Sequence, residues 1–283
     1  MKNSNSITVG YWSTKGLGSV CRQMILYSGN TLKAKNYKLQ PIVNGELITY
    51  DGSEWTENDK IKLKNRNSLI NLPYIELIDA NDNNIVISQS NACLSYLGRK
   101  FNMFGNNEIE ETQCEQLLLE THDLRNIITS FAYTHFKNKD LEHKVAKDVF
   151  TKSFQNNNEG KIQKFEHWFD AKINDNKSFL LTDISSADFN LFDVLDFYIE
   201  FLKHYNFTKE KDNKKILANA GYPCLNNYYN HFINLPKMKK YFNSIFYTLP
   251  YTNKSANFGS GIKGNKWNHH KQIDTTPSEI IIN

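Results

Sequence analysis

NLPYIELIDANDNNIVISQSN, residues 71–91, is the stretch that decides how the first part of this chain folds. Residues 74–78 and 85–87 are short apolar runs of the kind that form strands. The Asn/Asp cluster at 81–84 between them favours a turn, because Asn and Asp tolerate positive φ and hydrogen-bond to their own backbone. Residues 88–91 then open a helix whose apolar residues recur at helical spacing. The stretch therefore predicts strand, turn, strand and helix.

Two features of this stretch favour a ligand site. The free backbone N–H groups and the dipole of the helix that begins near Ser90 favour an anion. Pro73 cannot donate to a sheet ladder, so it marks the edge or the first residue of its strand. A cis Leu72–Pro73 bond would leave the backbone of Leu72 free to pair with a peptide-like ligand. A small peptide with a carboxylate suits this arrangement, although an ordinary hairpin capped onto a helix accounts for the same residues.

The bulk composition is that of a soluble globular protein with room for two small domains. The chain has 283 residues and a formal net charge of +4, and no apolar run approaches the length that spans a bilayer. The first six residues lack an apolar signal region, so we expect a cytoplasmic chain. Its Lys residues are scattered, which gives little support for nucleic-acid binding. We expect neither a membrane nor a nucleic acid among its partners.

The cysteines and histidines form no motif for metal or redox chemistry. Four Cys residues are widely separated without a CxxC pair, and the eight His residues show neither HxxxH nor HExxH spacing. These spacings argue against a disulfide framework, a zinc knuckle and a thioredoxin-type redox couple. We therefore predict no metal site.

Residues 7–12 form another predicted strand, which ends in Tyr11 and Trp12. A loop with Gly16 and Gly18 and then a helix follow, but no third Gly completes a dinucleotide-binding loop and no Lys-Ser/Thr completes a P-loop. The hydroxyl of Tyr11 could instead donate a hydrogen bond to an anion held above the end of the strand. The simpler alternative makes the two aromatic residues a buried pair.

The predicted elements up to residue 101 follow the order β-α-β-α-β-β-α, which describes a thioredoxin-like domain. Residues 32–39 form the second strand, and a short charged helix runs from Glu54 to about Lys64. Between them lies a polar loop, 40–52, of a length that is uncommon unless the loop covers a site.

The second half of the chain is predicted to be helical. Residues 110–136 and 154–172 carry apolar residues at helical spacing, and Ser185-x-x-Asp188 forms a capping box that starts a further helix. Residues 206–219 are a charged insertion. The predicted domains are a thioredoxin-like domain at 1–101, a linker at 102–109, an all-helical domain at 110–267 and a disordered tail at 268–283.

Local segments along the chain carry a family resemblance: YWSTKGL (11–17), YDGSEW (50–55), NLPY (71–74), SQSN (88–91), DLR (123–125), ADF (187–189) with DVLD (193–196), and GNK (264–266). In this order they resemble the mu class of cytosolic glutathione transferases. The resemblance covers nearly the whole chain apart from its ends and the 206–219 insertion. It implies an α+β protein of two domains, a thioredoxin-like one followed by an all-helical one.

The resemblance implies a homodimeric enzyme that takes glutathione as co-substrate, needs no metal and acts on hydrophobic electrophiles. Tyr11 would donate its hydroxyl hydrogen to the glutathione sulfur and favour the thiolate, which is the nucleophile. The backbone of Leu72 would pair with the cysteinyl part, and Gln89 and Ser90 would hold the γ-glutamyl carboxylate. The rest of the peptide site would be lined by Trp12, Leu17, Trp55, Lys60, Asn71 and Pro73.

Two further candidate site residues lie on the predicted helix 110–136. Asp123 and Tyr133 are ten residues apart, roughly 15 Å along a helix axis, so they cannot serve the same small group. The resemblance implies that Asp123 reaches the glutathione ammonium of the partner subunit and that Tyr133 faces the electrophile.

The chain departs from the mu pattern near the glycyl end of the peptide site. Gly52 stands where these enzymes usually carry an Arg, and the helix after Trp55 is longer, so that Asp59 and Lys60 compete for the position of a Lys. We expect weaker glutathione binding than is typical. Two other functions stay open: a non-catalytic, ligandin-like protein that carries hydrophobic ligands, and a glutathione-dependent isomerase or prostaglandin-type specialisation.

Overall fold

The computed structural model describes residues 6–45, 47–79, 81–155, 160–171, 178–260 and 274–283. The chain divides into two compact units. The first comprises Met1–Phe101, Lys237–Ala256 and Ser260–Asn283, and the second comprises Asn102–Pro236 and Asn257–Gly259.

A five-stranded sheet forms the centre of the first unit, with the strand order β6-β5-β1-β2-β7. β1 and β2 are parallel, and the pairs β1–β5, β5–β6 and β2–β7 are antiparallel. The strands are β1 Ile7–Trp12, β2 Leu32–Tyr37, β5 Tyr74–Ile78, β6 Asn84–Ser88 and β7 Glu279–Ile282. The helices of this unit are α1 Ser19–Tyr27, α2 Lys60–Lys64, α3 Ser90–Lys100, α10 Lys239–Phe242 and α11 Ile245–Thr248. The predicted strand, turn, strand and helix of residues 71–91 are confirmed.

The loop predicted at 40–52 contains a second, two-stranded sheet, so the prediction of a structureless loop is wrong. β3 Gln40–Asn44 pairs with β4 Leu47–Asp51, and Gly45 at the turn has φ +60°. Only the β-branched residues in this polar segment hinted at strands, and Ile42 and Val43 are both exposed in the hairpin. The run 40–44 in particular lacks the alternation of apolar and polar residues by which strands are recognised.

The predicted disordered tail is wrong for residues 274–283. In β7, Ile280 is paired with Ala34 and Ile282 with Leu32 of β2, the strand that would otherwise be the edge of the sheet. An edge strand exposes a row of unpaired N–H and C=O groups, which this segment covers. Residues 268–273 lie outside the described residues.

The helical unit also ends earlier than the predicted boundary at residue 267. Residues 237–256 belong to the first unit, because Tyr241 of α10 is buried there and its hydroxyl lies 2.7 Å from the hydroxyl of Ser19 on α1.

Helices make up the second unit, with α7 at its core. Nearly every side chain of α7 from Ser186 to Leu202 is buried, and its Asp193 forms a buried ion pair of 2.8 Å with Arg125 of α4. The predicted capping box is confirmed, since Ser185 and Asp188 cap the start of α7 reciprocally. The helices are α4 Glu108–Tyr133, α5 Lys139–Phe150, α6 Lys161–Asp170, α7 Ser186–His204, α8 Asn213–Asn219 and α9 Pro223–Ile233.

The structure differs from the prediction in two segments of the helical unit. The single helix predicted at 154–172 is instead a π-helical segment, Thr151–Gln155, followed by α6. The predicted insertion at 206–219 ends in α8, whose Ile216 and Leu217 are buried. Among the described residues, no helix is both long and apolar enough to cross a membrane.

Candidate active site

Tyr11 lies at the end of β1, and its ring is accommodated by two glycines of the following loop. A Cβ atom at Gly18 would lie 2.5 Å from Tyr11 Cγ, and one at Gly16 would lie 2.7 Å from both Cε1 and the hydroxyl oxygen of Tyr11. Gly16 also has φ +39°, a backbone conformation that favours glycine. The two glycines that resemble a dinucleotide loop therefore make room for the tyrosine. Tyr11 itself is 9% exposed.

Arg22, which the sequence analysis missed, holds the loop that follows Tyr11. Its fully buried guanidinium donates to the carbonyl oxygen of Thr14 at 2.7 Å, to that of Trp12 at 3.2 Å and to Asn36 Oδ1 at 3.2 Å. Buried charged groups are stable only when such partners satisfy them. The available signal was an Arg within the otherwise apolar stripe of α1.

The predicted residues Trp12, Trp55 and Leu72 come together in one apolar cluster. Trp55 is buried there, and half-buried Trp12 and Leu72 pack against the cluster. The Trp55 ring is stacked on Tyr74, with 5.9 Å between the ring centroids. Trp55 is therefore a core residue, whereas Trp12 and Leu72 form the part of the cluster closer to solvent. Leu17, also half-buried, lies in a 3₁₀ turn, Gly16–Gly18, between the two glycines that flank Tyr11.

The Leu72–Pro73 peptide bond is cis. Asn71 is held beside the end of β6, because its N–H donates to Ser88 Oγ at 2.8 Å and its C=O accepts from the same hydroxyl at 2.9 Å. Within the described part of the chain, the backbone N–H and C=O of Leu72 have no hydrogen-bond partner. They are the groups that a peptide ligand would pair with.

Gln89 and Ser90 lie at the N-terminus of α3. Gln89 is exposed and has φ +74°, and no side chain caps the helix there. A positive φ is uncommon for a residue with a long side chain and concentrates at functional sites. The first turn of α3 also contains no acidic residue, so its N–H groups and dipole favour an external anion.

Asp59 and Lys60 differ in their surroundings, although the sequence left their roles open. Asp59 belongs to a polar group beneath the Trp55 segment: it forms an ion pair with Lys35 and accepts a hydrogen bond of 2.7 Å from the Tyr37 hydroxyl. The preceding residues, Glu54–Asp59, are π-helical, a form that accommodates extra residues. The carboxylate of Asp59 thus binds other residues of the protein, and the half-buried Lys60 remains the candidate cation for ligand binding.

Two opposing effects act on the pKa of Asp59. Burial alone would raise it, but hydrogen bonds from Lys35 and Tyr37, and the charges of Lys35 and Lys62, hold the pKa below its usual range. The pKa values of the neighbouring phenols are shifted upward. Burial is the largest cause for both, and it raises the pKa of Tyr74 to about 12 and also raises that of Tyr37.

We expect Asp59→Asn to reduce the loss of stability in acid. Because the folded-state pKa is lowered, the contribution of Asp59 is complete above the unfolded-state pKa of about 3.9 and is lost as the pH falls through the folded-state value. The difference in melting temperature between pH 7 and pH 3 should therefore be smaller in the variant. Asp82→Asn, at an exposed turn, is the matched control. An equal difference in the two variants would contradict this assignment.

Gly52 allows Trp12 to lie close to the end of β4. A Cβ atom at residue 52 would lie 3.0 Å from Leu39 Cδ2 and 3.4 Å from Trp12 Cη2. Its φ is not in the left-handed region, so the glycine leaves space for neighbouring side chains and is not required by the backbone.

The other two predicted residues belong to the second unit. The side chain of Asp123 is 61% exposed and its carboxylate lies 3.4 Å from Lys161 Nζ. Tyr133 is the last residue of α4 and is 37% exposed. Lys161 was missed, because its ion pairs with Glu120 and Asp123 join residues about forty positions apart, which local sequence does not indicate.

Comparisons with known proteins agree on one family. The family described as "Glutathione S-transferase, C-terminal domain" matches residues 122–245. Glutathione S-transferase Mu 6 of Mus musculus is 38% identical over 119 residues, which are 42% of this chain and 49% of that protein. Glutathione S-transferase Mu 1 of Macaca fascicularis is 29% identical over 238 residues, 84% of this chain and 91% of that protein.

A solved structure shows the fold. The crystal structure of the glutathione S-transferase Blo t 8 superposes with a TM-score of 0.66 at 18% identity, covering 89% of this chain and 99% of that one. The alignment with the mouse relative spans about half of that protein's length, whereas the macaque relative is matched over nearly all of its length. By these matches the chain is similar in sequence to glutathione S-transferases, including members of the mu class, and similar in fold to a glutathione S-transferase of known structure.

Proposed function

We propose that the chain conjugates the thiolate of glutathione to hydrophobic electrophiles, with Tyr11 as the hydrogen-bond donor to sulfur. The observation that carries this proposal is the arrangement around Tyr11. Its ring is held between Gly16 and Gly18, at the end of the strand next to β5. The backbone of Leu72, for which the described residues provide no hydrogen-bond partner, lies just before β5.

The energy that this chemistry requires is available from one hydrogen bond. A free thiol with a pKa of about 8.5 is mostly protonated at neutral pH, and lowering that pKa by one unit takes about 1.4 kcal/mol. A well-placed hydrogen bond to a charged acceptor supplies roughly 1.5–3 kcal/mol, enough for one to two units. The uncapped N-terminus of α3, at Gln89 and Ser90, suits the γ-glutamyl carboxylate.

A conjugation assay with a generic aryl halide, together with a glutathione-resin pull-down, tests the proposal. We expect retention on the resin and glutathione-dependent turnover of the halide. Retention without turnover of any aryl halide would favour a binding protein, and absence of both would contradict the proposed site.

We expect Lys60→Ala to raise the glutathione dissociation constant by about two- to fivefold, the value of a partly exposed ion pair. Lys60 is half-buried at the start of α2, and in this proposal its cation meets the glycyl carboxylate. Calorimetric titration of glutathione measures the effect. Lys64→Ala, an exposed cation in the last turn of the same helix, is the matched control. Equal glutathione affinities of the two variants would rule out Lys60 as the residue that binds the glycyl carboxylate.

One observation favours a second function, the transport of hydrophobic ligands. The helical unit contains a cavity of about 240 Å³, whose lining combines the apolar side chains of Phe150, Phe154, Leu202, Phe207 and Ala220 with the polar ones of Gln155, Thr208 and Asn219. A fluorescent apolar probe should bind here with equal affinity in the wild type and in Tyr11→Phe. Probe binding by a protein that lacks conjugation activity would make transport the primary function.

The remaining assignments stay predictions. A homodimer is implied by the family resemblance, and in it Asp123 would reach the glutathione ammonium of the partner subunit, in competition with Lys161. Tyr133 would face the electrophile. Sedimentation of the protein at several concentrations tests the dimer. The cytoplasmic location and the isomerase-type alternative also stay predictions.

A further inference from the structure

The C-terminal segment, 274–283, adds a strand to the sheet that carries Tyr11. β7 pairs with β2 over four residues, and β2 pairs in parallel with β1 along its whole length. In the β1–β2 register, Tyr11 lies opposite Asn36, the residue at which the segment begins to pair. The N–H of Asn36 donates to the carbonyl oxygen of Ser278 at 2.7 Å.

Asp274, the first described residue of the segment, joins two loops of the candidate site. Its carboxylate accepts a hydrogen bond from the hydroxyl of Ser13, the second residue after Tyr11. Its backbone N–H donates to Gln40 Oε1 at 3.1 Å, and its carbonyl oxygen accepts from Gln40 Nε2 at 3.2 Å. Gln40 is the first residue of the β3–β4 hairpin. Ser13 is buried and its N–H also donates to the Tyr37 carbonyl oxygen, whereas Asp274 and Gln40 are half-buried, so the junction lies at the border of the buried core.

A second polar connection runs through Asn36. Its Nδ2 donates to the carbonyl oxygen of Pro277 at 3.0 Å, and its Oδ1 accepts from the Arg22 guanidinium. Arg22 in turn holds the carbonyl oxygens of Trp12 and Thr14. Asn36 is fully buried. The terminal segment therefore reaches the loop after Tyr11 by two separate routes.

Residues farther along that loop have a different support. The N–H of Lys15 donates to the carbonyl oxygen of Pro250 at 2.7 Å, and its ammonium lies 4.3 Å and 4.1 Å from the ring centroids of Tyr247 and Tyr251. Residues 12–14 are the part that the terminal segment contacts, directly at Ser13 and indirectly through Asn36 and Arg22.

We propose that residues 274–283 are a strap that positions residues 12–14 for glutathione binding, with Asp274 as its positioning residue. The role in glutathione binding rests on the proposed function, whereas the mechanical role rests on the contacts alone. The strap sets the position of the Trp12 ring through Ser13, and it sets the start of the β3–β4 hairpin through Gln40.

The test compares Asp274→Ala with Glu279→Ala in the full chain. Glu279 is an exposed carboxylate of the same segment and has no side-chain hydrogen bond within the described residues. Without ligand, we expect the Ser13 amide, which donates to the Tyr37 carbonyl oxygen, to exchange its hydrogen at least about tenfold faster in Asp274→Ala than in Glu279→Ala, as local opening becomes easier. Glutathione affinity should fall by roughly tenfold, which corresponds to about 1.4 kcal/mol, while kcat at saturating glutathione stays within about twofold.

A double-mutant cycle separates positioning from a general loss of stability. Ser13→Ala should reproduce the effect of Asp274→Ala, and the double variant should be no weaker in glutathione affinity than either single variant, because one shared contact is lost. The strap would be overturned if the two single losses of glutathione affinity multiplied in the double variant. It would also be overturned if Asp274→Ala and Glu279→Ala had the same Ser13 amide exchange rate and the same glutathione affinity. If Asp274→Ala fails to fold, Ser13→Ala is compared with Glu279→Ala instead, again by amide exchange at residue 13 and by glutathione affinity.

The two proposals fail differently. If the wild type binds no glutathione, the proposed function fails, and amide exchange of Ser13 still decides whether residues 12–14 depend on the strap. If the wild type binds glutathione but neither variant at the Ser13–Asp274 junction differs from Glu279→Ala, only the strap fails.

Discussion

Tyr11→Phe is expected to lower kcat about 10- to 100-fold, the range given by losing a hydrogen bond of about 1.5–3 kcal/mol to a charged acceptor. At pH 6, where most of the bound thiol is protonated in both proteins, the glutathione dissociation constant should change by less than about twofold, because the hydrogen bond gains its strength as charge develops on sulfur. Phenylalanine keeps the ring that lies against Gly16 and Gly18, so the variant should fold as the wild type does.

The pH dependence gives the same prediction an independent readout. Without the phenol, the pKa of bound glutathione should rise by roughly one to two units towards its free value. The thiolate absorbance of the complex, titrated between pH 5 and 10, measures this shift directly. The rate at pH 9 should then recover more of the wild-type value than the rate at pH 6.5.

Tyr96→Phe is the matched control, since it removes a phenol hydroxyl from α3 in the same unit. It should leave both kcat and the thiolate titration unchanged. Equal turnover of wild type and Tyr11→Phe with an aryl halide would remove Tyr11 from the mechanism.

Local sequence signals were sufficient to predict a structure wherever the residues that determine it lie within one short segment. The 71–91 stretch has turn residues between two apolar runs, and the capping box Ser185-x-x-Asp188 joins residues three apart. Both are confirmed. The interpretation of Tyr11 depended on where β1 ends, and the apolar run of 7–12 defines that end. The roles of the site residues are still predictions, because they depend on a ligand.

Long-range pairing accounts for what the sequence did not reveal. Arg22 can be buried because three oxygens from other segments accept hydrogen bonds from its guanidinium. No residue pattern within α1 indicates these partners. The three consecutive isoleucines at 280–282 were too short a run, beside polar residues, to stand out as a strand. They become one only because β2 offers an open edge. In the sequence, Asp59 and Lys60 compete for one position, and the partners that distinguish Asp59, namely Lys35 and Tyr37, are more than twenty residues away along the chain.

The largest effect on stability is expected from Asp188→Ala, which should lower the free energy of unfolding of the helical unit by about 3 to 5 kcal/mol. The buried carboxylate of Asp188 accepts three hydrogen bonds of 2.8 Å, from the N–H of Leu180, the N–H of Ser185 and the hydroxyl of Ser185. Alanine would leave two backbone donors buried without acceptors, each costing roughly 1–3 kcal/mol. Denaturant unfolding followed by far-ultraviolet circular dichroism measures the shift in midpoint.

Asp188→Asn and Asp183→Ala make this prediction specific to the carboxylate. In Asp188→Asn one oxygen can still accept from Ser185, but the amide N–H₂ then faces the Leu180 N–H, donor against donor, so the loss should be intermediate. Asp183, five residues earlier, is exposed and accepts only from Asn106 among the described residues, so its removal should change stability by no more than about 0.5 kcal/mol. A loss in Asp188→Ala as small as that of Asp183→Ala would mean that the start of α7 is held by apolar packing. In that case the capping box would be incidental to the helix that forms the core of this unit.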